Sequence, residues 1–356
     1  MTFFQVLGQR IRKVNSRLCV GLDPHPEDLP QQSAQEAEVF CRRIIEQTEE
    51  FAAAYKPNMA FFEALGVDGW AALEHVLSAI DDEIPVILDV KRGDISSTAD
   101  AYAAAYFDRL GVDAVTVNPY MGYDAVKPFL DHPGKGVFLL CKTSNPGAGD
   151  LQDVSIRNDV KEAGSGQISL FEHVASLAQS WNEADNLGLV VGATQPESLA
   201  AVRAMAPELW ILAPGIGAQG GDLQAAVQAG IREDGSGLLV PVSRTISRAD
   251  VPGQAAQSLR DNINQFIGHS SPQERGNLQE SSPRVSVLTE ALLEAGCVKF
   301  GEFTLKSGLQ SPVYIDLRIL AGKPELLREV AAAYLPILEE LRFDHIAALP
   351  YAAMPI

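Results

Sequence analysis

The stretch "ILDVKRGDISSTADAY", residues 87–102, places Asp89, Lys91 and Asp94 at the end of an apolar run that reads as a buried β-strand. Charges in such a position are expensive unless they are paired and used. Residues two apart on a strand point to one side, so Asp89 and Lys91 are expected to face the same way. Asp94 follows where the chain turns into a helix that starts near Ser96, Ser97 or Thr98. Lys56, at the end of the preceding strand-like run "AAAYKPN", completes an alternating Lys-Asp-Lys-Asp set. A lysine among carboxylates keeps its proton, because nearby negative charge favours the ammonium. It is then a poor nucleophile or Schiff-base former and a good proton donor, suited to stabilising a carbanion and quenching it.

The elements that must position this set are legible between residues 17 and 244. Short β-branched runs recur there: "RLCVGLD", "AAAYKPN", "IPVILDVKR", "DAVTVNP", "GVFLLCKT", "LGLVVGAT", "WILAPGIG" and "GLLVPVSR". Helix-like segments separate them, among them "AQEAEVFCRRIIEQTEEF", "GWAALEHVLSAIDD", "STADAYAAAYFDRLG", "LFEHVASLAQSWNE" and "PESLAAVRAMAP". This alternation predicts a closed (β/α)8 TIM barrel rather than an open doubly wound sheet. Polar or special residues gather where the strands end: Asp23, Lys56, Asp89 with Lys91, Asn118, Lys142 to Ser144, Gly215 to Gly217, and Arg244. That end is the catalytic face of such a barrel, and its last two loops, "PGIGAQGGD" and "SRTIS", stand where barrels of this kind bind phosphate.

Composition narrows the function classes. Twenty-eight basic residues against 46 acidic ones leave a formal charge of -18, which argues against a nucleic-acid or anionic-membrane surface. The four cysteines are scattered without a CxxC pair, so neither zinc nor a disulfide framework is expected, and the six histidines show no metal-ligand spacing. No signal peptide or membrane span is recognisable, and a soluble cytoplasmic protein is expected.

The motifs "LDVKRGDI", "GLDP", "YKPN", "VTVNPYMGYD", "TSNPG" and "PGIGAQGGD" together resemble orotidine 5'-phosphate decarboxylase, in the variant of that family with longer loops, over residues 1–268. The resemblance implies conversion of orotidine 5'-phosphate to uridine 5'-phosphate and carbon dioxide without metal or organic cofactor. It implies that Lys91 protonates C6, that Asp89 lies beside the departing carboxylate and that Asp94 completes the network. Asp94 and Thr98 would reach into the neighbouring subunit's site, so a homodimer is expected. Asp23 and Lys56 would hold the ribose hydroxyls, and Ser144 the pyrimidine edge. Gln219 would bridge base and phosphate. Arg244 and the backbone of Gly215 and Gly217 would receive the phosphate, and "GAQGGDLQ" would move on binding.

Residues 269–286, rich in Ser, Pro, Gln and Glu, read as a flexible linker. Residues 287–356 resume folded patterning as helix, hairpin-like turn, helix and final apolar strand. Their stretch "FGEFTLKSGLQSPVYIDLR" resembles the beginning of orotate phosphoribosyltransferase, which would put Lys306 near the orotate and pyrophosphate. The acidic phosphoribosyl-pyrophosphate loop and the mobile catalytic loop of that family are not among these residues. They are expected to be an incomplete, inactive N-terminal fragment of the transferase, in a fusion of two consecutive enzymes. Two other readings stay open at this stage. One is a sugar-phosphate lyase or synthase of the same barrel group, resembling hexulose-phosphate synthases, which pairs the Asp-x-Lys-x-x-Asp motif with magnesium. The other is a non-catalytic phosphate-binding or scaffolding protein.

Overall fold

Each of the eight runs forms a strand. In the computed structural model, which describes residues 1–157, 167–216, 222–268, 291–304 and 310–339, they are β1 (Leu18–Leu22), β2 (Ala54–Pro57), β3 (Ile87–Arg92), β4 (Ala114–Val117), β5 (Gly136–Lys142), β6 (Leu187–Val191), β7 (Trp210–Leu212) and β8 (Leu238–Val242). Most of their residues are buried, as expected of parallel strands covered on both faces. Neighbours follow the order β2-β1-β8-β7-β6-β5-β4-β3, with all pairs parallel. The ring closes between β2 and β3 through the bridges Tyr55↔Val86 and Asn58↔Asp89, and the Tyr55 N–H donates to the Pro85 carbonyl at 3.0 Å. The architecture is a (β/α)8 barrel.

An N-terminal helix, α1 (Phe3–Val14), closes the barrel's lower end. Thr2 and Gln5 form a capping box at its start, and Phe3, Phe4, Leu7 and Ile11 make one buried stripe. That stripe packs on residues from the beginnings and undersides of the strands, including Ile87, Ala114, Phe138 and Trp210. Phe4 stacks on Trp210 at 5.6 Å between centroids and meets the edge of Phe138 at 5.7 Å. Gly136 is required by this close approach, since a Cβ there would collide with the Phe3 ring.

Two local features depart from the sequence reading. The helix expected from "STADAYAAAYFDRLG" is α-helical only over Ser96–Ala103 and continues as a π-helical turn, Ala104–Arg109. After β5 the chain makes an extra antiparallel ladder, Ser155–Arg157 with Gln167–Ser169, before the next helix at Leu170. Ser169 and Glu172 form the capping box that starts that helix.

The chain divides into two units, Met1–Ser270 and Ser271–Ile356. In the second, Val298–Thr304 pairs antiparallel with Gln310–Ile315, and a helix follows over Pro324–Glu339. Among its described residues, Cys297, Leu320 and Val330 form a buried apolar cluster. The strand pair followed by a helix matches the expected order. The linker, Lys306 and the final apolar strand lie outside the described residues.

Phe4→Ala removes the ring that joins α1 to Phe138 and Trp210. It is expected to lower the unfolding free energy by about 3–5 kcal/mol, read as the urea midpoint at constant m-value. An unchanged midpoint would show that the helix adds nothing to the barrel.

Candidate active site

The end of β3 is not a regular strand. Leu88 pairs with Val115 and Arg92 with Val117, so Asp89, Val90 and Lys91 together face the single residue Thr116 on β4. The excess forms a bulge, and Lys91 takes a left-handed conformation with φ of 45°, uncommon for a residue with a side chain. The Asp89 and Lys91 side chains do meet, as expected, but across this bulge and not through strand alternation. The Lys91 ammonium donates to Asp89 Oδ1 at 2.5 Å, and Lys56 donates to Asp89 Oδ2 at 3.1 Å from the neighbouring β2.

Burial by itself would push the Asp89 carboxyl up, but Lys56 and Lys91 outweigh it and hold the group well below the usual carboxylate range. The same contest at Lys56 ends the same way: burial favours the neutral amine, and Asp89 with Asp23 keeps the ammonium, raising its pKa. Asp89 and Lys56 are therefore both charged at neutral pH. Their exposures divide the work, because the Lys56 and Asp89 side chains are 10% and 11% exposed whereas Lys91 is 49% exposed. Lys91 is the ammonium open to a ligand, and Lys56 is the countercharge behind it.

These groups line a cavity of about 390 Å³ at the C-terminal ends of the strands, a size that suits a small molecule. Asp23, Ser144, Gly215 and Arg244 line it as well. Asp23 Oδ1 is buried with no hydrogen-bond partner, an unsatisfied acceptor on a residue that lines the cavity. Gly215, just beyond β7, has φ of 113°, which only glycine adopts freely. Arg244 opens the short helix Arg244–Ser247 after β8, and its guanidinium meets no carboxylate among the described residues. Gly217 and Gln219, with most of the loop "GAQGGDLQ", lie outside the described residues.

Asp94 and Thr98 stand apart from the cavity of their own chain. The Ile95 N–H donates to Asp94 Oδ1 at 2.8 Å, and Thr98 is exposed on the helix that follows. Among the described residues Asp94 forms no ion pair, so one chain assembles Lys56, Asp89 and Lys91 but not the fourth member of the set. Lys142 also turns away, pairing at 2.5 Å with Asp153. Gln152 exchanges hydrogen bonds with Thr143, at 2.9 Å and 2.8 Å, and so ties the excursion after β5 down beside Ser144.

Several lining residues escaped the sequence reading. Thr116 and Ser243 face the cavity, the latter with a buried hydroxyl lacking a partner, and His25 packs edge-on against Phe61 at 4.4 Å. Thr116 had a signal: it is a polar residue inside the otherwise apolar strand "AVTV". Burial pushes the Cys19 thiol up to about 12, so this cysteine stays protonated and is no nucleophile. Among the described residues no group of three or more His, Cys, Asp or Glu is arranged to hold a metal ion, and no helix is long and apolar enough to cross a membrane.

Lys56→Met leaves the buried Asp89 carboxylate with one exposed partner and is expected to destabilise the fold by about 3–5 kcal/mol, measured by urea unfolding at pH 7. Because the folded pKa of Asp89 is depressed, its contribution is complete above the unfolded value of about 4 and is lost progressively as pH falls from there toward the lower folded value. The stability gap between wild type and Asp89→Asn should narrow on acidification; a gap that widened would reverse the assigned charge state.

Comparison with known proteins gives the family. The model of the Orotidine 5'-phosphate decarboxylase / HUMPS family matches residues 16–259. The chain is 48% identical over 275 residues to an orotidine 5'-phosphate decarboxylase of Roseiflexus castenholzii, an alignment covering 74% of this chain and 98% of that one. A bifunctional enzyme PyrF/PyrE of a Nostoc species is 37% identical over 368 residues, covering 100% of this chain and 75% of its own. Among solved structures, Leishmania donovani UMP synthase is similar with a TM-score of 0.70 and 49% identity, covering 100% of this chain and 74% of that chain. With the family model spanning the barrel and the charged network at its mouth, the chain belongs to the Orotidine 5'-phosphate decarboxylase / HUMPS family, as an enzyme of the carboxy-lyase class.

Proposed function

We propose that Lys91 is the acid in decarboxylation of orotidine 5'-phosphate to uridine 5'-phosphate, a step of pyrimidine synthesis. The observation that carries the reading is the Lys56–Asp89–Lys91 network lining the cavity, with Lys91 its most exposed member. The bond between C6 and the carboxylate breaks, carbon dioxide leaves, and the electron pair remains on C6 beside the ammonium. Lys91 then transfers a proton to C6, forming the new C–H bond, and recovers its own proton from solvent. Preorganised positive charge favours the carbanion more than the substrate, which is what lowers the barrier. Asp89 grips Lys91 through Oδ1 and adjoins the departing carboxylate.

The other lining groups take the remaining parts of the substrate. The unpartnered Asp23 Oδ1 and Lys56 suit ribose hydroxyls, and Ser144 the pyrimidine edge. Arg244, with the backbone of Gly215 and Gly217, suits the phosphate, and Gln219 bridges phosphate and base. The loop "GAQGGDLQ" closes on binding, and remote phosphate binding energy supports chemistry at C6. Asp94 and Thr98 act in the partner subunit's site of a homodimer; their absence from their own chain's cavity supports this.

The chain organisation proposed is a decarboxylase barrel of the longer-loop variant over 1–268, a linker over 269–286 and an N-terminal piece of orotate phosphoribosyltransferase over 287–356. The similarity to the bifunctional PyrF/PyrE enzyme and to UMP synthase across this chain supports it. Residues 287–356 by themselves are inactive as a transferase.

Purified protein incubated with orotidine 5'-phosphate and a chelator is expected to lose the orotate chromophore. No loss from folded protein would move the assignment to a metal-dependent sugar-phosphate reaction. Lys91→Ala should lower kcat by about 10³-fold or more while phosphate-ligand affinity stays close to wild type; normal turnover in that variant would remove Lys91 from the chemistry. Mixing Lys91→Ala with Asp94→Ala protomers should restore about a quarter of wild-type activity, since half the dimers then carry one intact site. No recovery would place Asp94 in its own chain's site.

A further inference from the structure

We infer that Thr116 is the positioning residue that builds the bulge carrying Lys91. The inference rests on the decarboxylase reading for its kinetic consequence, and on hydrogen-bond geometry for its structural one. A threonine hydroxyl has one proton to donate and two lone pairs to accept with. Here all three are committed. Thr116 Oγ1 accepts from the Val90 N–H at 3.0 Å and from the Lys91 N–H at 2.9 Å, and donates to Asp89 Oδ1 at 2.9 Å. The side chain is buried, at 1% exposure.

In a regular parallel ladder the N–H groups of β3 would find carbonyl acceptors alternately on β4 and β2. The bulge takes that away, because three residues of β3 oppose one of β4. Buried N–H groups without acceptors would make such a bulge unstable. The hydroxyl supplies the missing acceptor twice, and so supports the left-handed backbone at Lys91. Its proton also fixes the carboxylate oxygen that Lys91 itself grips. One hydroxyl thereby sets the backbone of the proton donor and the orientation of its partner. Thr116 touches neither role's chemistry directly; it acts through Lys91 and Asp89.

The test separates hydroxyl from volume. Thr116→Val keeps the shape and removes the hydroxyl, whereas Thr116→Ser keeps the hydroxyl and removes a methyl. Thr116→Val is expected to lower kcat by roughly 100-fold, the scale of a misplaced reacting group, with KM nearly unchanged, and Thr116→Ser to return kcat close to wild type. Wild-type kcat in the valine variant, or equal losses in both variants, would overturn the inference. Should the valine variant fail to fold, Thr116→Cys replaces it, with a weak acceptor expected to give an intermediate kcat; a wild-type value there counts against it. Amide exchange at Val90 and Lys91 reads the bulge without turnover: it should quicken in Thr116→Val and stay slow in Thr116→Ser, and unchanged exchange in the valine variant would again overturn the inference. An inactive wild type would defeat the decarboxylase reading alone, and exchange would still decide the bulge.

Discussion

A carboxylate kept ionised out of water is the constraint around which this barrel is arranged. Asp89 is nearly enclosed, and it stays charged because an ammonium stands at each of its oxygens and the Thr116 hydroxyl at one of them. Losing any one of these would leave a buried charge under-compensated, which is far costlier than losing an exposed pair. The partners come from three consecutive strands, β2, β3 and β4, so their spacing is set by the barrel. The last bridge that closes the ring, Asn58↔Asp89, falls at the same residue. The barrel closes and the charge network assembles at one place.

The two ends of the barrel accordingly follow different rules. At the lower end, α1 fills the opening with Phe3, Phe4, Leu7 and Ile11, and the contacts are rings and aliphatic groups in close packing. At the upper end there is a left-handed lysine, a partnerless carboxylate oxygen on Asp23 and a partnerless hydroxyl on Ser243. A ligand bound there would relieve these two polar groups, and the left-handed lysine persists because the surrounding barrel over-determines the backbone.

Much of this was readable from the chain. Runs such as "LCVGL" and "GVFLLCK" are strands in any parallel sheet, since β-branched and apolar residues fill positions covered on both faces. The polar residues that end them, Asp23, Lys56, Asp89 and Arg244, do gather at one cavity. The reading failed where a distant group overrides a local rule. Alternation predicted a flat Asp89–Lys91 face, but a hydroxyl 25 residues from Lys91 stabilises a bulge instead. The π-helical turn at Ala104–Arg109 and the small ladder at Ser155–Arg157 lack any strong periodic signature.

The sequence by itself determined the barrel, its strand order and the types of charge at its mouth, because periodicity and strand-end position are properties of neighbours along the chain. Tertiary structure decided how far each charge is open and which partner holds it. Lys91 is open and Lys56 enclosed, Lys142 is spent on Asp153, and Asp94 leaves its own chain's network. Those assignments depend on burial and on partners from other strands, and burial is a quantity that only the closed ring possesses.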